Sequence, residues 1–174
     1  MSVRRIAIVG PESTGKSDLA QALAHHYQDQ WVPEYAREYL HELPRPYREA
    51  DLWAIAQGQL SSEAAKARQA RRWLFVDTNL LVIKIWGEFK YGRVDPRIER
   101  HLGLGGYDLH LLPDIDLPWA DDPLREHPQA RQELFDRYHA ALVDAAVPFA
   151  VVRGLGAARL QHARTAIETH FSAP

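Results

Sequence analysis

Cysteine is absent from this chain, which excludes disulfides, zinc–thiolate sites and thiol nucleophiles together. The absence suits a reducing compartment, and a cytoplasmic location is the corresponding expectation. Also missing is any apolar run long enough to span a bilayer or to form the core of a signal peptide. The segment Ile6-Ala7-Ile8-Val9 is too short for either. Charge of one sign is lacking as well. With 21 Lys and Arg against 23 Asp and Glu the net charge is -2, whereas a general nucleic-acid binder carries a strong basic excess. Neither nucleic acid nor a membrane is therefore expected as a partner, and no feature speaks to oligomeric state. The nine His show no metal-ligand spacing, so no zinc site is expected. There is no repeat and no low-complexity tract. A length of 174 residues fits one domain, 1–174, with a small lid.

What is present is concentrated near the start. Gly10-Pro11-Glu12-Ser13-Thr14-Gly15-Lys16-Ser17 spells G-x-x-x-x-G-K-S, between the apolar stretch Arg5 to Val9 and the helically spaced Asp18 to Ala24. Strand, Gly-rich loop and helix in that order make the string a phosphate site. Glycines let several backbone N–H groups converge on one anion, and the helix N-terminus adds its positive dipole end. Gly10, Glu12, Ser13, Thr14, Gly15, Lys16 and Ser17 are the candidate ATP-binding residues. Lys16 would reach the β- and γ-phosphates, and the Ser17 hydroxyl would hold Mg²⁺. The plain alternative is a Gly-rich turn without a ligand.

Beyond the loop, short apolar runs alternate with segments of helical period. Strands are expected at 6–9, 31–33, 73–77, 107–113 and 149–152. Helices are expected at 16–28, 34–40, 49–72, 79–89, 96–101, 129–145 and 157–171. Thr78 or Asn79 would cap the fourth helix, and Gly58 marks a close-packing point. This alternation predicts an α/β fold, a parallel sheet with helices on both faces. Ligands of such sheets bind beyond the carboxyl ends of the strands, the edge that receives Gly10, Glu34, Asp77, Pro113 and Gly154.

Asp77 ends the run Leu74-Phe75-Val76-Asp77, where a carboxylate can hold Mg²⁺ or its water shell or else cap the next helix. Glu34 and Arg37, three residues apart, read either as a substrate pair or as a surface ion pair of little worth. In the first case Glu34 accepts a hydroxyl proton and Arg37 holds ribose or phosphate. Segment 114–127, acidic, proline-rich and aperiodic, reads as a lid or as a solvated loop. As a lid it would bring Arg125, and Arg131 beyond it, over the nucleotide to stabilise transferring charge. Among five Trp, Trp73 and Trp86 are expected in the core. Trp31, Trp53 and Trp119 lie near strand ends or the lid, with faces available to a flat or cationic ring.

Five motifs now stand in order: the loop at 10–17, Pro-Glu-Tyr-Ala-Arg at 33–37, Ile-Ala-Gln-Gly-Gln at 55–59, Phe-Val-Asp-Thr-Asn at 75–79 and Pro-Trp-x-x-Asp-x-x-Arg at 118–125. Together they resemble the ribosylnicotinamide kinase domain family, over nearly the whole chain. The resemblance implies a three-layer P-loop kinase fold with a five-stranded sheet in the order 2-3-1-4-5. It also implies ATP-dependent phosphorylation of the 5′-hydroxyl of nicotinamide riboside to nicotinamide mononucleotide, with Mg²⁺. By position it places ATP and Mg²⁺ on Gly10 to Ser17 and matches Asp77 to the acidic residue after the third strand. Glu34 and Arg37 match a Glu-Tyr-x-Arg element, and Trp119, Asp122 and Arg125 match the lid.

Lys16, Glu34, Asp77 and Arg125 are thus the candidate catalytic set, and Ser17 with Asp77 the candidate metal ligands. Arg131 and Gly154 join the loop as nucleotide contacts. Some members carry an aromatic just before the glutamate. Here that residue is Pro33, leaving Tyr35, Trp53 and Trp119 as the aromatic candidates for the acceptor ring, beside Arg37, Asp77 and Asp122. The DNA-binding and adenylyltransferase parts of bifunctional members are not expected, so the chain is not expected to complete NAD by itself. A kinase for another nucleoside or nucleotide is one alternative. A nucleotide-dependent regulatory ATPase is the other; the N-K-x-D element that reads guanine does not occur.

Overall fold

The computed structural model describes residues 2–172; Met1, expected to lead into the first strand, and residues 173–174 lie outside them. Strands β1 (Arg4–Ile8), β2 (Gln30–Val32), β3 (Trp73–Asp77), β4 (Leu109–Pro113) and β5 (Phe149–Val152) form one parallel sheet in the order β2-β3-β1-β4-β5. This is the order the family resemblance implied. The crossovers carry α1 (Lys16–Tyr27), α2 (Tyr35–Glu42), α3 (Asp51–Ala67), α4 (Leu80–Tyr91), α5 (Pro96–Arg100), α6 (Arg131–Asp144) and α7 (Gly156–Ser172).

Every residue of β3 and β4 is buried, because a sheet covered on both sides leaves no face for water. Side chains of β1 alternate between two cores. Ile6 and Ile8 join Leu19 and Leu23 of α1 and Ile167 of α7. Ala7 and Val9 join Leu81 and Ile85 of α4 with Leu134 and Leu142 of α6. A third cluster packs α3, α4 and α5 through Leu52, Ile55, Leu80, Ile83 and Ile98. In the register of β1 and β3, Ile8 lies opposite Asp77, so the phosphate loop and the β3 carboxylate leave the sheet side by side.

Element ends differ from the sequence expectation where distant groups decide them. Helix α3 stops at Ala67 rather than continuing to residue 72. The Asp29 carboxylate accepts the N–H groups of Arg71, Arg72 and Trp73 at 2.7–3.0 Å and turns the chain into β3. Strand β4 begins at Leu109 rather than Tyr107, because a 3₁₀ turn at Leu104–Gly106 precedes it. The α4 cap is Asn79, whose Oδ1 accepts from the Leu81 N–H at 3.0 Å. Gly58 is a close-packing point as expected: a Cβ there would lie 1.9 Å from the Tyr35 ring. Among the described residues, no helix is long and apolar enough to cross a membrane.

Candidate active site

The loop after β1 is shaped by its backbone. Gly15 has φ +73°, and a Cβ on it would stand 3.0 Å from Leu117, so both conformation and space call for glycine. Ser13 also lies in the left-handed region, at φ +56°, and Thr14 Oγ1 donates to the Pro11 carbonyl at 2.9 Å. Lys16 folds back across the loop, its Nζ donating to the same carbonyl at 2.8 Å. Burial lowers the Lys16 pKa, while Glu34, Asp77 and Glu12 oppose the shift.

Asp77 is 1% exposed, and neither carboxyl oxygen has a hydrogen-bond partner among the described residues. A buried carboxylate without partners is costly. Burial above all, and then the charge of Glu34, push its pKa up to about 6; the nearby Ser17 hydroxyl, Lys16 and Arg37 pull it back. Asp77 does not cap α4, a role taken by Asn79. Glu34 stands at the N-cap position of α2. Arg37, one turn on, donates from Nε to Glu34 Oε2 at 3.2 Å and from Nη1 to Asp122 Oδ2 at 2.9 Å, so it bridges α2 to the segment following β4.

That segment lies against the phosphate loop. The Ala120 N–H donates to Ser13 Oγ at 2.9 Å, and the Glu126 and His127 N–H groups donate to the Glu12 carboxylate at 3.0–3.2 Å. Arg125 donates to Ser13 Oγ at 3.4 Å and to the Ala120 carbonyl. Arg131 spans the carbonyls of Leu117 and Ser13 at 2.9 and 3.0 Å. Sequence reasoning missed Arg159, which is 4% exposed. Its guanidinium donates to the carbonyls of Thr14, Gly154 and Asp114 and to the Asp116 carboxylate, clamping the loop to the ends of β4 and β5. The available signal was an arginine in step with Ala163 and Ile167 on the buried stripe of α7.

A cavity of about 550 Å³ joins these parts. The phosphate loop, Glu34, Arg37, Asp77, Asp122 and Arg125 all line it, as does Trp31. Its apolar wall is Trp86 and Phe89 of α4 with Tyr138 of α6. Trp86, expected in the core, packs against the third cluster and also lines the cavity.

Tyr35, Trp53 and Trp119 do not line this cavity. The Tyr35 ring turns onto Gly58. Trp53 packs beside His101, with the Arg97 guanidinium 4.9 Å from its ring. Trp119 donates to Asp121 at 2.9 Å. Arg131 and Gly154 are likewise outside it. Arg131 is engaged with carbonyls, and the Gly154 N–H with Asp116 at 2.7 Å. Among the described residues, no cluster of three or more His, Cys, Asp or Glu side chains could by itself hold a metal ion.

The chain matches the family model described as AAA domain over residues 5–159. It is 30% identical over 129 residues to the trifunctional NAD biosynthesis/regulator protein NadR of Salmonella typhimurium, and equally to that of Escherichia coli, covering 71% of this chain and 31% of each relative. The chain thus spans less than a third of the length of these curated relatives. Among solved structures, NadR in complex with NR has a TM-score of 0.81 at 18% identity, covering 99% of this chain and 52% of that one. NadR in complex with NAD and AMP-PNP gives 0.78 at 18%, covering 99% and 50%. Thymidylate kinase from Ehrlichia chaffeensis gives 0.67 at 11%, covering 97% and 99%. The structural likeness speaks to the fold, and the family match takes in the phosphate loop, both carboxylates and the segment after β4. The chain belongs to the AAA domain family, as a P-loop domain of the NadR type.

Proposed function

We propose that the chain is an ATP-dependent kinase that phosphorylates the 5′-hydroxyl of nicotinamide riboside to give nicotinamide mononucleotide. The observation that carries this reading is the single cavity in which a phosphate loop, two carboxylates and an aromatic wall face one another. A nucleotide switch needs only the first of these and one carboxylate for Mg²⁺. A kinase needs all three: a site for the donor, a base for the acceptor, and a surface for the acceptor's ring.

In this mechanism the loop N–H groups and Lys16 hold the β- and γ-phosphates, and Lys16 exchanges the Pro11 carbonyl for phosphate oxygen. The unpartnered oxygens of Asp77, beside the Ser17 hydroxyl, suit Mg²⁺, a hard cation that takes few protein ligands and completes its shell with water and phosphate. When bound, Mg²⁺ would neutralise charge on the β- and γ-phosphates. Glu34 accepts the proton of the 5′-hydroxyl as its oxygen attacks the γ-phosphorus. The bond to the β–γ bridging oxygen breaks, and ADP leaves with the electron pair. Arg37 and Asp122 orient Glu34 and the ribose. Segment 114–127 serves as the lid, with Arg125 beside the phosphate loop where transition-state charge accumulates. Trp86 and Tyr138 offer the ring a π-surface, worth about 1–2 kcal/mol to a cationic ring once desolvated, while Phe89, engaged by Arg137 and His127, closes the wall beside them.

Residue Pro33 sits where some relatives place an aromatic, and the α4 and α6 aromatics supply the missing face. The test is a panel of nucleosides and nucleoside monophosphates with ATP and Mg²⁺, reading both ADP and phosphorylated product. Nicotinamide riboside should exceed uridine and cytidine in kcat/KM by at least about tenfold, equivalent to roughly 1.4 kcal/mol. A neutral nucleoside as the best acceptor would keep the reaction and change the substrate. ADP release without a phosphorylated product would leave an ATPase.

A further inference from the structure

The motif Ile-Ala-Gln-Gly-Gln contributes no side chain to the mechanism above. Its last residue, Gln59, is 1% exposed, and each side of its amide is used. Oε1 accepts from the Tyr35 N–H at 2.8 Å. Nε2 donates to the Thr78 carbonyl at 3.0 Å and, more weakly, to the Asp77 carbonyl at 3.4 Å. The orientation of the amide is fixed by these partners, since an N–H can meet only the oxygen and the carbonyls only the nitrogen. One partner is the first residue of α2, directly after Glu34. The others are the last residue of β3 and its successor.

We propose that Gln59 is a positioning residue that sets the Glu34 and Asp77 carboxylates against each other across the cavity. Two neighbouring features point the same way. Thr78 has φ +62°, a conformation that a β-branched residue avoids and keeps only where its surroundings hold it. Its N–H donates to the Ile8 carbonyl at 3.0 Å, and its carbonyl is held by Gln59. On the other side, Tyr35 is fixed twice by consecutive residues: its ring lies where a Cβ on Gly58 would be, 1.9 Å away, and its N–H is bound to Gln59. The glycine and the glutamine together lock the start of α2 onto α3, and the glutamine then carries that position across to β3. Methionine would fill the same volume and hold neither end. Glutamate would accept from Tyr35 but could donate to no carbonyl.

This inference rests on the kinase reading, and its test separates the two. Gln59→Met and the shorter amide Gln59→Asn are compared with wild type for kcat, for KM of ATP and nicotinamide riboside, for the Mg²⁺ concentration giving half-maximal rate, and for hydrogen exchange at Tyr35. For Gln59→Met the expected result is a fall in kcat of roughly 10- to 100-fold, the scale of a small misplacement of reacting groups. KM for ATP should stay within about twofold, half-saturating Mg²⁺ should rise, and exchange at Tyr35 should speed up. If Gln59→Met does not fold, Gln59→Asn carries the test, with at least a tenfold fall expected from an amide that cannot span both partners. A variant in which Tyr35 exchanges freely and kcat stays within about threefold of wild type overturns the proposal. So does a KM for ATP that rises in step with the loss of kcat, which marks general collapse of the site. If wild type phosphorylates no acceptor in the panel, the kinase reading fails instead. Exchange then decides the clamp alone: unchanged protection at Tyr35 in Gln59→Met overturns it, and lost protection confined to residues 34–36 and 77–79 supports it.

Discussion

On the proposed kinase reading the cavity has a nucleotide half and an acceptor half, and the two are built differently. The nucleotide half is backbone. It consists of eight consecutive residues whose shape is held by bonds to carbonyls: Thr14 and Lys16 to Pro11, Arg131 to Ser13, and Arg159 to Thr14. The acceptor half is side chain. It draws on the start of α2, the inner faces of α4 and α6, and the segment after β4; Asp77, at the end of β3 and with neither oxygen hydrogen-bonded, stands with Glu34 at the seam. A polyphosphate looks alike in every nucleotide, so a rigid set of N–H groups serves it. An acceptor differs from one kinase to the next, and side chains can be exchanged without disturbing the loop. The difference predicts that changes on the nucleotide side abolish turnover for all acceptors, while changes on the acceptor side redistribute it among them.

Lys16→Ala is the strongest test of the nucleotide half. Loss of a charge that faces the transferring group should lower turnover at least about 10²-fold for every acceptor equally, with a cooperative thermal transition retained. A mutant keeping more than about a tenth of the wild-type rate would contradict the role. Glu34→Gln tests the seam between the halves. Removing a general base should lower kcat by roughly 10²-fold or more, with KM for ATP nearly unchanged. Asp77→Asn should instead raise the Mg²⁺ requirement; the opposite pattern would exchange the two roles.

Trp86→Ala addresses the acceptor half alone. It should remove most of a roughly tenfold preference for nicotinamide riboside over cytidine, about 1.4 kcal/mol, and leave ATP binding intact. Trp53→Ala, whose ring packs beside His101 and Arg97, should leave that preference alone. The reverse outcome would move the acceptor to the α3–α5 side.

The smallest effect on turnover at neutral pH is expected at His110, which belongs to neither half. It is fully buried on β4, and burial holds its pKa down to about 4. An unfolded chain takes up this proton near pH 6.5, so the folded state loses stability as pH falls from about 6.5 toward 4 and is unaffected above that window. Urea midpoints measured across the window should fall more steeply for wild type than for His110→Gln, and equal slopes would remove histidine from the account.

The run from β1 through the loop into α1 was legible in the sequence, because every determinant lies within one stretch: apolar residues, glycines at the turns, then helical period. The alternation of strands and helices was legible for the same reason, and Gly58 could be marked as a close contact from its place in a helix. The far end of α3 was not, since the carboxylate that turns the chain there belongs to Asp29. The aromatic wall was not legible either. Periodicity shows that α4 has a buried stripe, but the rotation of the helix against α6 decides which part of that stripe opens onto the cavity. That rotation exposes Trp86 and Phe89 to the cavity, while Tyr35 and Trp53 turn toward other partners.

By itself, then, the sequence determined the phosphate loop, the order of elements and the carboxylates at the strand ends, all set by interactions between near neighbours in the chain. Tertiary structure alone decided which aromatics meet the cavity and that Arg159 braces the loop. It also decided that Gln59 joins the start of α2 to the end of β3. Each of these depends on groups tens of residues apart whose meeting is fixed by how helices rotate and pack on the sheet, which no local pattern encodes.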